Sequence, residues 1–247
     1  MVMLDPVFRD YTGLDFLLLF VAVVVMPVLS ALAGRQLARR TPEERRLVPR
    51  YWRIVLRGWL IVALTLAVWH VLGRPLSELG LTPRLGTWDY AGFAAVVAAF
   101  AVLAVQLLRL KSLSPERLKK AMKSIHGIKI TPDTRGELAL FMLVSLTAGV
   151  WEELLYRGFL IWFLAPLVSL SGAVILSSLV FGLGHVYQGL RGVFVTASIG
   201  LALAGLYVLS GTLWWLMAAH ALIDIYGGFV TFRVKRLAKT QDLAPVS

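Results

Sequence analysis

The sequence predicts an all-α fold, a polytopic bundle of about seven membrane-spanning helices. Three observations predict it. Of the 247 residues, 58% are hydrophobic and 16% charged, with a mean hydropathy of +0.77. A soluble domain is nearer half apolar and a quarter charged, so an ordinary soluble enzyme is excluded. The apolar residues gather in runs of roughly 20, the length that crosses about 30 Å of hydrocarbon. The basic residues crowd into alternate connections between those runs.

The runs come in order near residues 14–34, 53–73 and 88–108, then 137–164, 171–188, 191–209 and 213–232. The last four are joined by short links: Pro166 with Ser169 to Gly172, then Gln188 to Gly192, then Ser210 to Thr212. The fourth run exceeds one crossing, so a broken or re-entrant helix is expected there, and eight spans are the alternative to seven. The first run follows Asp5, Arg9, Asp10 and Asp15 rather than a basic start, so no cleavable signal peptide is expected.

Loop charges set the expected orientation. The connection after the first span carries Arg35, Arg39, Arg40, Arg45, Arg46 and Arg50. The one after the third carries Arg109, Lys111, Arg117, Lys119, Lys120, Lys123, Lys129 and Arg135. The C-terminal tail adds Arg233, Lys235, Arg236 and Lys239, whereas the other side has Arg9, Arg74 and Arg84. This asymmetry predicts an N-terminus outside and a cytoplasmic C-terminus, which needs an odd number of crossings. Seven satisfies it. The net charge of +11 is thereby accounted for. Nucleic acid is not an expected partner, because no aromatic residues interleave with the basic loops as stacking platforms. Anionic lipids are the expected contacts of those loops, worth about 1 kcal/mol per basic residue at the surface.

Within the third connection, Ser114, Pro115 and Glu116 read as an N-cap with proline at the first helical position. Leu118, Ala121, Met122 and Ile125 recur at helical spacing opposite Arg117, Lys119, Lys120 and Lys123. A short helix over 115–126 on the cytoplasmic membrane surface is expected, with a solvated basic loop as the alternative. The domain organisation expected is an N-terminal transmembrane region (1–136), a second helix bundle (137–232) and a basic cytoplasmic tail (233–247). The abundance of arginine, alanine and leucine fits a GC-rich bacterium, and hence a multi-pass protein of the inner cell membrane.

Cysteine is absent, which excludes disulfides, thiolate metal sites and a cysteine nucleophile. An ionisable side chain deep in a span is expensive and marks function by default. Of the fourteen acids, those placed deep in a span are Glu152, Glu153 and Asp224. Arg157 is the basic residue read well inside one. Of the histidines, His185 and His220 are placed deep, while His70 falls near a span end and His126 in a loop. At 1.5 Å per helical residue, Glu152 and Glu153 lie roughly 17–18 Å from the outer ends of their spans, and His185 about 21 Å. His220 and Asp224 come out at roughly 10 and 16 Å on the same scale. Three separate helices thus bring six ionisable groups to a similar level.

Spacing assigns partners. Glu153 and Arg157 are four apart on one helix face and predict an ion pair. Glu152 faces about 100° away with no charged partner on its own helix, which makes it the candidate general base. His220 and Asp224 are also four apart. The carboxylate orients the imidazole, or both bind a common ion.

Three motifs carry these residues: E-E-x-x-x-R at Glu152, Glu153 and Arg157; F-x-x-x-H at Phe181 and His185; and H-x-x-x-D at His220 and Asp224. In this order, on successive C-terminal spans, they resemble the CPBP family of intramembrane proteases. That family groups type II CAAX prenyl endopeptidases with bacteriocin-processing and self-immunity (Abi) proteins. The resemblance covers roughly residues 137–232, and the first three spans carry no motif. It implies an intramembrane endopeptidase acting on a membrane-associated or lipidated substrate. By likeness, Glu152 activates the attacking water, Glu153 with Arg157 supports the site, and His185 helps to hold the water. His220 and the residue four after it stabilise the oxyanion.

One departure bears on mechanism: a common form of the third motif has asparagine where Asp224 stands. An asparagine amide donates to an oxyanion, whereas an ionised carboxylate only accepts. Asp224 must therefore be protonated, orient His220 or coordinate a cation. Glu152, His185, His220 and Asp224 are the candidate ligands for a divalent cation such as zinc, with water in the open position. The chain has no H-E-x-x-H, no G-x-S-x-G and no G-x-G-D, which sets aside the other intramembrane protease classes. The alternative readings are an ion- or proton-coupled transporter using the same buried residues, and a non-catalytic immunity or membrane chaperone protein.

Overall fold

The computed structural model describes residues 10–41, 46–83, 86–109, 114–125 and 130–240, and among them every regular element is helical. Arg9, Arg45, Arg84, Lys111, Lys129, His126 and the tail beyond Thr240 lie outside the described residues, as do the side chains of Arg109 and Ile125.

Helix α1 spans Gly13–Ala38 and contains a π-helical turn at Val21–Val25. Its start is fixed by a capping box, in which Asp15 accepts from the Thr12 amide at 2.8 Å. Helix α2 (Leu47–Val71) and helix α3 (Thr87–Arg109) follow, then the short α4 (Pro115–Ile125). Helix α5 (Arg135–Glu152) opens with a second capping box, Thr134 with Glu137. It runs without interruption into a π-helical segment (Glu153–Leu160) and on into α6 (Ile161–Leu183). Helices α7 (Leu190–Ser210) and α8 (Trp214–Thr240) complete the bundle.

Among the described residues, six helical stretches are long and apolar enough to cross a membrane, and the fourth, Arg135–Leu183, has 49 residues. A straight helix of that length would be about 74 Å long, well over twice the hydrocarbon thickness. The chain breaks it at Val168 and Ser169, where φ is −134° and +69°. Pro166 lacks an amide to donate back, and the Ser169 hydroxyl accepts from the Gly172 amide at 3.3 Å to restart the helix. Two crossings result, and about seven spans stand.

The second limb, 170–183, ends earlier than the expected span 171–188. Gly184 closes it, and Val186–Gln188 form a 3-10 turn. His185 therefore sits on a turn just past a short helix rather than deep within one. The tail is corrected as well. Arg233, Lys235, Arg236 and Lys239 are the last turns of α8, not a separate extension. Those turns hold α4, whose Leu118 is fully buried against Val234 and Ala238. Ala121 and Met122, partly buried, pack beside it.

Helix α5 sits between α2 and α8, and small residues set both contacts. Gly58 of α2 lies against Trp151 and Thr147, and Gly149 of α5 lies against Met217 and Ala221 of α8. A Cβ at Gly149 would come within 2.6 Å of the Met217 carbonyl oxygen, which is backbone and cannot swing aside. Gly149→Ala is expected to destabilise by about 1–3 kcal/mol by forcing α5 and α8 apart. A lower unfolding temperature in detergent checks it, and an unchanged one sinks it.

At the end of the bundle away from α4, Asp15 is fully buried and holds Arg74 through both carboxylate oxygens. The Arg74 guanidinium lies 4.5 Å from the ring of Trp162, whose Nε1 donates to Glu78 Oε2 at 2.7 Å. This cluster joins α1, the α2–α3 connection and α6. Asp15→Ala strands the arginine and is expected to destabilise by about 3 kcal/mol. Thermal unfolding in detergent reads the loss, and an unchanged midpoint would show the cluster to be incidental.

Candidate active site

Glu152 closes the α-helical part of α5 and Glu153 opens the π-helical segment, so the adjacent carboxylates sit at a change of helical pitch. Wider π turns inside α-helices recur at functional sites because they redirect side chains. Here they separate two roles. Glu153 is wholly buried, and its Oε1 accepts from Arg157 Nη1 at 2.8 Å and from His220 Nδ1 at 2.7 Å. Arg157, also buried, donates through Nη2 to the Gly200 carbonyl at 3.1 Å and lies 4.3 Å over the ring of Phe181. The pair expected from i,i+4 spacing is present and also ties in α7 and α8. The orientation of His220, however, comes from Glu153 and not from Asp224 as the spacing allowed. Asp224 Oδ2 lies 3.8 Å from Nε2, on the other side of the ring.

Glu152 turns the other way. Its Oε2 is buried without a hydrogen-bond partner and stands 3.9 Å from His185 Nε2 and 3.7 Å from His220 Nε2. His185 Nδ1 is 2.9 Å from the Phe181 carbonyl, which can only accept, so Nδ1 carries the proton and neutral Nε2 presents a lone pair. The structure thus brings all six expected residues together: Glu153, Arg157 and the Nδ1 edge of His220 form a closed network. Glu152, Asp224 and two imidazole Nε2 atoms border an open space.

That space is one end of a cavity of about 450 Å³ between α1, α2, α5, the 184–187 turn and α8. Its walls include Met26, Leu29, Ile54, Phe141 and Val144, and Tyr187 stands beside His185. The tight approach of Gly34 to Tyr187 brings α1 against the turn that carries His185. Helix α2 contributes Arg50, Arg53 and Arg57 to the same cavity. Sequence reading placed Arg50 in a loop and passed over the other two. Their spacing of three and four was the available signal, since it puts all three on one helix face. His70 is exposed at the far end of α2 and takes no part.

The donor set has the chemistry of a zinc site, but its spacing does not match one. Ligands 2.0–2.1 Å from a tetrahedral zinc are roughly 3.3 Å from one another. The gaps here are 3.7–3.9 Å. Among the described residues no group of three or more histidines and acids is arranged to hold a metal ion.

Fold and site together define a multi-pass helical membrane protein with a carboxylate–imidazole centre buried among its C-terminal helices. Residues 134–226 match the family model described as type II CAAX prenyl endopeptidase Rce1-like. The match covers the helices that supply Glu152, Glu153, Arg157, His185, His220 and Asp224, in agreement with the recognition from the three motifs. No curated protein and no solved structure matches the chain significantly.

Proposed function

We propose that the protein is an intramembrane endopeptidase that hydrolyses a peptide bond in a membrane-associated or lipidated substrate. The observation that carries this reading is Glu152 Oε2, which is buried, unpartnered and faces two imidazole nitrogens across gaps of 3.7 and 3.9 Å. Those gaps are too long for direct hydrogen bonds and suit one water held between the groups.

In the reaction Glu152 removes a proton from this water while His185 Nε2 accepts its second hydrogen. The water oxygen bonds to the scissile carbonyl carbon, and the carbonyl π pair moves onto oxygen. Collapse of the tetrahedral species breaks the C–N bond, and the proton on Glu152 passes to the leaving amine. Glu153 and Arg157 hold His220 in place and do not meet the substrate. The pathway uses no metal, in keeping with the spacing of the donor atoms.

The apolar walls of the cavity suit a hydrophobic or lipid-bearing segment. Its basic end adjoins the α1–α2 connection, so the site opens to the cytoplasm if the positive-inside rule sets the orientation. The protein would then lie in the inner membrane of a bacterium, with Arg35, Arg39 and Arg40 touching anionic headgroups. The N-terminal region (1–136) supplies one wall of the cavity, and 137–232 supplies the reacting groups.

The test compares membrane-protein termini by mass spectrometry in cells carrying wild type or Glu152→Gln at equal expression. Loss of a defined set of termini, with longer precursors accumulating, is the expected result. Identical profiles in cells that require the gene would overturn the proposal. Dialysis against a chelator is expected to leave cleavage unchanged, and its loss with rescue by zinc would restore the metal reading.

A further inference from the structure

This inference rests on the endopeptidase reading. Peptide hydrolysis leaves a negative charge on the former carbonyl oxygen, and a hydrogen-bond donor must meet it. Of the motif residues, Asp224, His185 and His220 are poorly placed to do so. Asp224 puts a carboxyl where an amide would donate, and whenever it is ionised it only accepts. His185 Nε2 has no proton while Nδ1 bonds the Phe181 carbonyl. Any proton on His220 Nε2 faces two carboxylate oxygens, of Glu152 at 3.7 Å and Asp224 at 3.8 Å.

Arg57, on α2, lines the same cavity. Its neighbour Gly58 packs on Trp151, which fixes Arg57 at the level of Glu152, with Arg53 and Arg50 one and two turns away along α2. The two charges act on one another, yet Arg57 Nε and Glu152 Oε2 are both buried without a hydrogen-bond partner. Had they paired, neither would be free to meet a substrate. Arginine is permanently charged and offers five N–H donors in a rigid fork.

We propose that Arg57 is a catalytic residue that donates to the oxyanion of the tetrahedral intermediate, taking the role that asparagine fills where Asp224 stands here. The scissile carbonyl then enters the cavity between the Glu152-activated water and the guanidinium. No proton leaves Arg57. It stabilises charge by hydrogen bonding alone, so the atom and electron balance of the hydrolysis is unchanged.

The experiment uses the full chain in nanodiscs and a quenched fluorogenic peptide bearing a prenylated cysteine, with precursor processing in cells as the parallel readout. Arg57→Gln is expected to lower kcat about 10²–10³-fold with KM changed less than about threefold. Arg57→Lys, which keeps the charge and the stem, guards against a folding defect and is expected to fall between the two. Adding Asp224→Asn to Arg57→Gln is expected to recover at least tenfold, because the amide restores a donor at the second position. Adding Asp224→Ala instead recovers nothing.

A rise in KM with kcat preserved would show that Arg57 anchors the substrate, and the proposal falls. Failure of Asp224→Asn to restore turnover overturns it too, as does an unchanged kcat in Arg57→Gln. If the wild type leaves both the peptide and the cellular precursors uncleaved, the endopeptidase reading has failed. If Glu152→Gln is inactive and Arg57→Gln is not, only this inference has.

Discussion

Glu152→Gln is expected to lower hydrolysis by about 10³-fold while leaving the unfolding temperature unchanged or slightly higher. The first half follows from geometry. Glutamine matches the shape of glutamate but cannot take a proton from water, and among the described residues no other carboxylate faces both imidazole Nε2 atoms at under 4 Å. The second half follows from Oε2, which makes no hydrogen bond to a protein group, so glutamine gives up no protein contact there. A charge in the protein interior is a burden on folding, so neutralising it relieves the fold. Steady-state cleavage and thermal unfolding of the same preparation read both effects. Inactivity through unfolding would show a structural role instead, and the general-base assignment would fall.

Arg157→Met should have the opposite signature, with stability lost first. Arg157 is buried, and its removal deprives Glu153 Oε1 of a bond at 2.8 Å and the Gly200 carbonyl of one at 3.1 Å. Glu153 would keep only His220 as a partner, and its Oε2 already has none. Stranding a buried charge in this way costs about 3–5 kcal/mol. Adding Glu153→Gln removes the stranded charge and is expected to recover part of the loss. The comparison of single and double variants by thermal unfolding isolates the coupling. A destabilisation below about 1 kcal/mol would mean that the network is incidental.

Much of the site was legible before any coordinates. Six ionisable residues in apolar runs stand out because burial in hydrocarbon demands a reason, and the i,i+4 spacing identified the Glu153–Arg157 pair outright. Spacing was less informative for His220. It offered Asp224 as the partner, yet Glu153, 67 residues away in sequence, holds the ring. A helical repeat describes neighbours within one element only. Arg57 was missed for a related reason: on its own helix it is one more arginine in the basic first three turns. It becomes a candidate only because Gly58 lets α2 lie flush against α5 beside Glu152.

The sequence alone determined what the solvent dictates. Runs of roughly 20 apolar residues, alternating basic connections and the Pro166 to Gly172 link follow from local composition, and with them the helical class and about seven spans. The tertiary structure decided what depends on long-range packing and on departures from ideal helix geometry. The π-helical segment at Glu153–Leu160 turns one carboxylate into a buried network and leaves the other free. The early end of α6 sets His185 on a turn, and the α4–α8 contact buries Leu118. Apolar periodicity carries no signal for any of these, because each follows from which surfaces meet.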